Sequence, residues 1–409
     1  MPNDTPPTPE AIAEATTFLR EILQHIANGE SNREQIYHFF KTNLHRLDKT
    51  LLHSIPNVFS ELIANETQEQ QHRIALNFVT FADRISEFPL GSRALNLEMS
   101  ITCYELTLAI LTREKFPEDW ARVQNNLAIA YSDRIRGDWA RNIEAAIAAY
   151  RQSLQVRTRE AMPVDWAMTQ GNLARALMAQ ATLAGDPTKL DTAIALLQEE
   201  LKVAVPGSPF FINDQYSLGN ALSRRYEQSQ NPDNLQHAIN AYTTALNAID
   251  PEHYDRPSIW QAIPETQSIL GSRLVKEGRW QEGLQLLLQS VRQLSSGDNL
   301  LAHANALYQT GRAQETMADW DNACLYYRDA LRLYNHLGDT LGIAQSRAGL
   351  GGVLVSRGFL EKGMAELATA KKLYQQLDKP QQVQDLEQLY AAAQRILAQQ
   401  SGDSSEARV

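Results

Sequence analysis

Residues 112–128 read TREKFPEDWARVQNNLA, and residues 158–174 read TREAMPVDWAMTQGNLA. The two stretches lie 46 residues apart and share a Pro-x-Asp-Trp element that is followed by Asn-Leu-Ala. Such a duplication is either an active-site signature used twice or the period of an architecture built from copies. Only the second interpretation requires the match to extend through the rest of the chain.

The match does extend in both directions. Tyr104 aligns with Tyr150 at the same spacing of 46 residues. Towards the C-terminus the period shortens to 40 residues, as in the series Gly271, Gly311 and Gly351. A self-similarity of this length is typical of a solenoid, in which each repeat packs only on its neighbours. The duplicated stretch is therefore interpreted as a structural repeat rather than as an active-site signature.

Each period contains two helical patterns that are separated by a turn at residues 136–138. Apolar residues recur at helical spacing on both sides of this turn. The positions are Trp120, Val123, Leu127 and Ala130, followed by Ile143, Ala146, Ile147 and Tyr150. Strand-like alternation is nowhere sustained, so the sequence predicts an all-α fold of consecutive helix pairs.

The repeats resemble the tetratricopeptide repeat (TPR), most plainly where Leu270 and Gly271 are followed by Gly283 and Leu287. Their length of 40 to 46 residues is similar to the long variant in kinesin light chains, which shares the Asn-Asn-Leu-Ala phrase at 125–128. The stretch 88–138 looks like the cyanobacterial TPR proteins whose repeats often precede a caspase-like CHAT domain. The resemblance implies a TPR-like α-α superhelix, a right-handed solenoid of helix pairs. Since the repeats run almost to the end of this chain, we expect no CHAT domain and carry over no proteolytic function.

Four parts are predicted along the chain. Residues 8–71 form an N-terminal helical module, which begins with the capping sequence Thr-Pro-Glu. Residues 72–378 form a TPR-like solenoid of about seven helix pairs. Residues 379–399 form a capping helix with a polar outer face, as the end of a solenoid requires. Residues 400–409 are predicted to be a disordered tail.

Charge and composition restrict the partners that the chain is expected to bind. A net charge of −10 argues against a protein whose main ligand is nucleic acid, because phosphate backbones require clustered Lys and Arg. Residues 113–159 are an exception, with nine basic residues against six acidic ones. This basic stretch keeps RNA binding open as an alternative, since helical-pair solenoids also bind single-stranded RNA. No apolar run reaches the roughly 18 residues that span a bilayer, so we expect a cytoplasmic protein with no membrane partner.

The sequence contains no pattern that predicts catalysis. The Pro-x-Asp-Trp element is explained by a proline at the first helical turn, an acid near the helix dipole and a packed Trp. His38, His45 and His53 lack the spacing of a metal site, and residues 347–355 lack the strand and Lys of a phosphate loop. We therefore predict no enzyme, no catalytic residue, no metal and no cofactor.

The TPR resemblance implies a partner-binding surface on the concave side, lined by the first helix of each pair. Relative to the signature Leu of that helix, the positions five before, one before and two after point into the groove. In the strongest repeats these residues are Arg122, Asn126 and Ile129; Met168, Asn172 and Arg175; and Asn213, Ser217 and Asn220. Later repeats contribute Glu265, Ser272, Arg312, Gln345 and Gly352.

Asn126 and Asn172 occupy the position whose amide, in peptide-binding members, clamps the ligand backbone, since an amide both donates and accepts. The alternative is that the amides of Asn126 and Asn172 only bridge adjacent helices. Arginines at the groove are expected to select acidic groups, namely Arg122, Arg175, Arg224 and Arg312.

The predicted function is that of a scaffold or adaptor that binds a peptide or partner protein in the concave groove. Two alternatives are RNA binding and regulation of a separately encoded caspase-like protease. The second rests on the family resemblance alone.

Overall fold

The computed structural model describes residues 7–29 and 32–406, which contain eighteen α-helices, one 3-10 helix and no strand. The predicted all-α fold of consecutive helix pairs is confirmed. The first ten helices are α1 (Pro9–Ala27), α2 (Arg33–Thr42), α3 (Lys49–Ile63), α4 (Gln68–Glu87), α5 (Arg93–Thr107), α6 (Pro117–Ser132), α7 (Trp139–Ser153), α8 (Pro163–Ala184), α9 (Pro187–Glu200) and α10 (Pro209–Ser229), with the 3-10 helix at Leu44–Arg46. The remaining eight are α11 (Pro232–Ala248), α12 (Arg256–Lys276), α13 (Trp280–Leu294), α14 (Leu300–Thr316), α15 (Trp320–Leu337), α16 (Thr340–Ser356), α17 (Leu360–Gln376) and α18 (Pro380–Glu406).

The chain forms two compact units, one ending at Ser217 and the other beginning at Leu218. From α4 to α17 the helices follow one another as pairs, each with a first and a second helix. We call the first helix of each pair an A helix (α4, α6, α8, α10, α12, α14 and α16) and the second a B helix. The residues predicted to point into the groove all lie on A helices.

The N-terminal helices share one hydrophobic core with the first helix pairs. Thr8 caps α1 by accepting a hydrogen bond from the Ala11 amide (3.2 Å), as its sequence predicts. Phe18 of α1 is fully buried in a cluster that continues to Val123 of α6. The boundary predicted between residues 71 and 72 falls inside this unit, and α4 already begins at Gln68. The apolar faces of α1 and α3 are buried against the helix pairs, which explains why packing does not follow that boundary.

Repeat glycines allow an A helix and its B helix to approach closely. Gly271 of α12 and Gly283 of α13 lie against each other, so that a Cβ built on either would meet the other's carbonyl oxygen at 2.7 or 2.5 Å. Real Cβ atoms do not approach a carbonyl oxygen so closely, and only glycine fits at this distance. The 40-residue glycine series seen in the sequence therefore marks the sites of closest helix contact.

The C-terminal helix is longer than predicted. The capping helix was expected over 379–399, whereas α18 runs from Pro380 to Glu406. The backbone of residues 400–406, predicted to be disordered, continues this helix, because no proline interrupts it and extending a helix costs less than starting one. Residues 407–409 of the predicted tail lie outside the described residues. Among the described residues, no helix combines the length and apolarity needed to cross a lipid bilayer.

Candidate functional site

The predicted site residues differ in how far they reach solvent. Four of them are exposed, namely Ile129, Asn213, Arg224 and Arg312. Five are partly buried, namely Arg122, Asn126, Asn172, Arg175 and Asn220. Four of the partly buried side chains form hydrogen bonds that tie neighbouring helices together, namely Asn126, Asn172, Arg175 and Asn220, whereas Arg122 bonds to Asp119 within α6.

The Asn126 amide links two A helices. Its Nδ2 donates to Oδ1 of Asp83 on α4 at 3.0 Å, and its Oδ1 accepts from the Asn125 amide at 3.1 Å. Asp83 also accepts a hydrogen bond from the Tyr104 hydroxyl at 2.6 Å. Burial raises the pKa of Asp83 above its usual value, and the bonds from Tyr104 and Asn126 oppose this shift. Asn126 thus stabilises a partly buried carboxylate between repeats.

The amides of Asn172 and Asn220 are similarly engaged. Asn172 donates to Oδ1 of Asn125 at 3.4 Å and accepts from Arg175. Asn220 accepts from the Tyr242 hydroxyl at 2.8 Å. The amides of Asn126 and Asn172 therefore do bridge adjacent helices, which was one of the two alternatives. That these amides also clamp the backbone of a ligand remains a prediction.

Replacing Asn126 with alanine should lower the free energy of unfolding by about 1–2 kcal/mol, because the Asp83 carboxylate loses a donor that water cannot fully replace. Asn213→Ala is the matched control, since Asn213 is an exposed asparagine on α10 and its loss should change stability by less than about 0.5 kcal/mol. Urea denaturation followed by circular dichroism would measure both. Equal stability of the two variants would contradict the bridging role.

Tyrosine hydroxyls of B helices recur as partners of A-helix side chains. Tyr104 and Tyr242 were described above. On α15, Tyr327 donates to Glu315 at 2.5 Å and Tyr334 donates to Asn305 at 2.6 Å. The rings of all four are buried while their hydroxyls reach the A-helix side. We call these four residues the hydroxyl row.

The Pro-x-Asp-Trp element has the structural role predicted for its Pro and Trp, and its Asp has an additional one. Pro117 begins α6, and Trp120 is buried. Asp119 pairs with His72 of α4 at 2.9 Å and with Arg122 at 3.3 Å. In the second copy Asp165 pairs with the buried Arg157 at 3.3 Å. The acids of this motif therefore neutralise Arg122 and Arg157 within the fold.

The basic stretch 113–159 is largely neutralised by acids outside it. Arg134 pairs with Glu98 at 2.7 Å, Arg157 with Asp165 at 3.3 Å and Arg159 with Glu199 at 3.8 Å. These three acids offset three positive charges, and Arg93, also outside the window, offsets the negative charge of Asp133 inside it, so the excess falls from three positive charges to one. Since a net positive surface was the only support for RNA binding, this alternative is weakened.

A groove of about 590 Å³ lies on the A-helix side of the second unit, between α10, α12 and α14. We call it the A-helix groove. Two exposed apolar side chains line it, Ile269 with 48% and Leu301 with 47% of their surface accessible. Its polar lining includes Glu265, Ser272, Asn305 and Gln309.

Sequence reasoning found part of this groove and missed the rest. Glu265 and Ser272 were predicted from the repeat register, and they lie in it. Ile269 and Gln309 occupy the register of Asn126, and Asn305 occupies the register of Arg122. The same register could have identified them. Leu301 carries no signal, because it lies at the start of α14, outside the signature positions.

Internal hydrogen bonds orient the polar groups of the A-helix groove. Ser272 donates to Oε1 of Gln309 at 3.0 Å, and Tyr334 donates to Oδ1 of Asn305. Both amide carbonyls are thereby occupied, and among the described residues neither amide nitrogen has a hydrogen-bond partner. Glu265 accepts from Asn299 at 2.9 Å through Oε1, which leaves Oε2 as an acceptor. Asn305, Gln309 and Glu265 thus present two amide donors and one carboxylate acceptor beside an apolar surface, and Arg273 and Lys276 also line the groove.

A second cavity, of about 620 Å³, lies in the first unit between α2, α4, α5 and α6. Asn126 and Ile129 line it together with Arg93, which pairs with Asp133 at 3.0 Å. Its basic and acidic residues are equal in number: Arg33, Arg84 and Arg93 against Asp83, Glu87 and Asp133. The formal charges of its lining therefore sum to zero. Among the described residues, no group of three or more His, Cys, Asp and Glu side chains is arranged to hold a metal ion.

No protein-family model and no curated protein matches the chain. Among solved structures, it is similar to BtubC from P. vanneervenii at 17% identity and a TM-score of 0.39, over 58% of this chain and 92% of BtubC. It is similar to RapI at 12% identity and a TM-score of 0.41, over 95% of this chain and 98% of RapI. It is also similar to PH0952 of Pyrococcus horikoshii, a signal transduction ATPase with a tetratricopeptide repeat sensor, at 14% identity and a TM-score of 0.41, over 93% of this chain and 62% of PH0952. With TM-scores below 0.5, the fold assignment rests on the helices themselves.

Proposed function

We propose that this chain is a non-enzymatic interaction protein, and that it holds a segment of a partner protein in the A-helix groove. The observation that carries the proposal is the juxtaposition of exposed Ile269 and Leu301 with the amide N–H groups of Asn305 and Gln309. An apolar surface flanked by a few fixed polar groups is the usual composition of a binding cleft.

The geometry supports a partner segment whose backbone is accessible to hydrogen bonding. The amide nitrogens of Asn305 and Gln309 can donate to two backbone carbonyls, and Oε2 of Glu265 can accept one backbone N–H. An apolar side chain of the segment would lie against Ile269 and Leu301. Backbone contacts would supply affinity, and the apolar contact would supply register along the groove.

The arginines predicted to select acidic groups contribute unequally to this proposal. Arg122 is paired with Asp119, and Arg175 donates to Asp214, so part of their charge is neutralised within the fold. Arg312 is an exposed side chain on α14, the helix that carries Asn305 and Gln309. Selection of acidic groups is therefore proposed for Arg312 first.

Ile269→Asp should weaken binding of a groove ligand at least tenfold, since it places a charge on the apolar contact surface. Leu325→Asp is the matched control, because Leu325 is 53% exposed on a B helix and does not line the groove. Random peptides displayed on phage would be selected on the unmodified protein, and their dissociation constants would be measured on both variants. Peptides that bind Ile269→Asp as well as Leu325→Asp would remove the groove from the proposal.

Regulation of a separately encoded caspase-like protease stays a prediction from the family resemblance. A cytoplasmic location is likewise proposed from the sequence.

A further inference from the structure

Two carboxyl groups are buried against each other in the first unit. Glu200 is the last residue of α9, and Asp214 lies in the second turn of α10; each has 1% of its surface exposed. The two side chains are within hydrogen-bonding reach of each other. Oε2 of Glu200 and Oδ2 of Asp214 are nevertheless both without a hydrogen-bond partner. Two buried carboxyl groups within hydrogen-bonding reach, each with an oxygen that no donor contacts, indicate a missing proton.

One positive charge faces this pair. Arg175 of α8 donates to Oδ1 of Asp214 and also to Asn172. The neighbouring position on α8 is Gly171, where a Cβ would lie 2.7 Å from the Asp214 carboxylate. Thus α8 supplies both the space for a carboxyl group and a single cation. Two buried negative charges beside one cation would leave one charge uncompensated.

In the part of the chain that the structure describes, no other charged group acts strongly on the pair. Burial is the largest cause of the raised pKa of Glu200. The negative charge of Asp214 raises this pKa further, Arg175 lowers it, and the result is a pKa of about 8. Burial also raises the pKa of Asp214, against the effect of Arg175. Tyr150 of α7 interacts electrostatically with Arg175, and burial raises the pKa of Tyr150 to about 12, so its hydroxyl is neutral at physiological pH. The adjacent Glu199 lies on the solvent side and pairs with Lys202 and Arg159.

We propose that Glu200 and Asp214 share one proton, and that loss of this proton releases the C-terminal end of α9 from α8 and α10. With the proton present, the pair carries one negative charge, which Arg175 balances. Without it, the second carboxylate is buried uncompensated, and Glu200 reaches water when the end of α9 and the connection at residues 201–208 move away. The chain then contains a pH-dependent contact next to two residues predicted to bind a partner, Arg175 and Asn213.

The direction of the pH dependence follows from proton counting. Between the ordinary pKa of a Glu side chain and about 8, the folded chain holds a proton that the unfolded chain has lost. Raising the pH through this range therefore favours the unfolded form, by at most about tenfold in the unfolding equilibrium constant per pH unit. Above the raised pKa the two forms hold equal numbers of protons, and the dependence ends.

The test is the pH dependence of urea unfolding of the full chain, from about pH 5.5 to 9, for the unmodified protein, Glu200→Gln and Glu199→Gln. Glu199→Gln is the matched control, because it removes the neighbouring exposed acid. We expect the unmodified protein and Glu199→Gln to lose stability as the pH rises, and Glu200→Gln to lose this part of the dependence. Equal pH dependence in all three would overturn the shared proton.

Two measurements on the unmodified protein keep the proposal testable if Glu200→Gln does not fold. Infrared spectroscopy should show the C=O stretch of a protonated carboxylic acid at pH 7, and the band should disappear above about pH 9. Hydrogen exchange of residues 197–204, corrected for the intrinsic pH effect, should accelerate over the same range. Absence of the band at pH 7 would refute the shared proton, and unchanged exchange would refute the release of α9.

Discussion

Replacing Tyr327 with alanine should lower the free energy of unfolding by about 3–5 kcal/mol, as for other fully buried aromatic side chains. Only 1% of Tyr327 is exposed, and its ring packs against Gly311 of α14 and Gly349 of α16. A Cβ at these two glycines would lie 2.9 and 2.5 Å from ring atoms, so both A helices are shaped around this one ring. Removing it leaves a cavity between two successive repeats, which the paired glycines cannot fill.

Two neighbouring substitutions separate the ring from other contributions. Tyr326→Ala changes the adjacent tyrosine, which is only partly buried, and should cost clearly less. Tyr327→Phe keeps the ring and removes only the hydrogen bond to Glu315, for a loss of about 1 kcal/mol. Thermal and urea unfolding followed by circular dichroism would rank the three. If Tyr326→Ala were as destabilising as Tyr327→Ala, the ring would not be the element that joins these repeats.

Gly283→Ala should lower the free energy of unfolding by about 2–4 kcal/mol, because the added methyl group overlaps not only the Val275 side chain but also backbone atoms, which cannot move aside without displacing a helix. Its Cβ would lie 2.5 Å from the Gly271 carbonyl oxygen and 2.9 Å from the Val275 amide nitrogen. Relief of this overlap requires α12 and α13 to separate along their contact.

The control for Gly283→Ala is a glycine with free space around it. Gly352 lies within α16, and a Cβ there would have its nearest neighbour, Leu389, at 3.6 Å. Gly352→Ala should therefore stabilise the protein by up to about 1 kcal/mol through helix propensity. Opposite signs in urea unfolding are the expected outcome, and equal effects of the two substitutions would mean that helix contact does not explain the repeat glycines.

The fold could be predicted because it depends on periodic positions. The spacing of Gly271, Gly311 and Gly351 reports close helix contact, which recurs in every repeat, so one sequence contains several observations of the same constraint. The positions expected to face the A-helix side follow from the same register, and Glu265 and Ser272, which this register selects, line the A-helix groove.

Features that occur once could not be predicted in this way. Asn126 bonds to Asp83, and the positions that correspond to Asp83 in the next two repeats are Ile129 and Arg175. The bond therefore occurs in one repeat and cannot be read from the repeat pattern. The Glu200–Asp214 pair depends on two departures from the repeat: Gly171 replaces the Asn125 of the previous copy, and Asp214 replaces Thr169. A sequence shows that these residues differ from the register, but only three-dimensional packing shows that one change makes room for the other.

The hydroxyl row makes the protein sensitive to strong base. Burial raises the pKa of Tyr104, Tyr327 and Tyr334 above the ordinary value near 10, since a phenolate would lose its hydration inside the fold. Above pH 10 the unfolded chain ionises these phenols and the folded chain does not, so alkali favours unfolding. Because phenolate and phenol absorb differently in the near ultraviolet, an alkaline titration should show the exposed tyrosines first, and Tyr104, Tyr327 and Tyr334 only as the repeats come apart. The tyrosines that join the helices of a pair are thus also intrinsic absorbance probes of the separation of these helices.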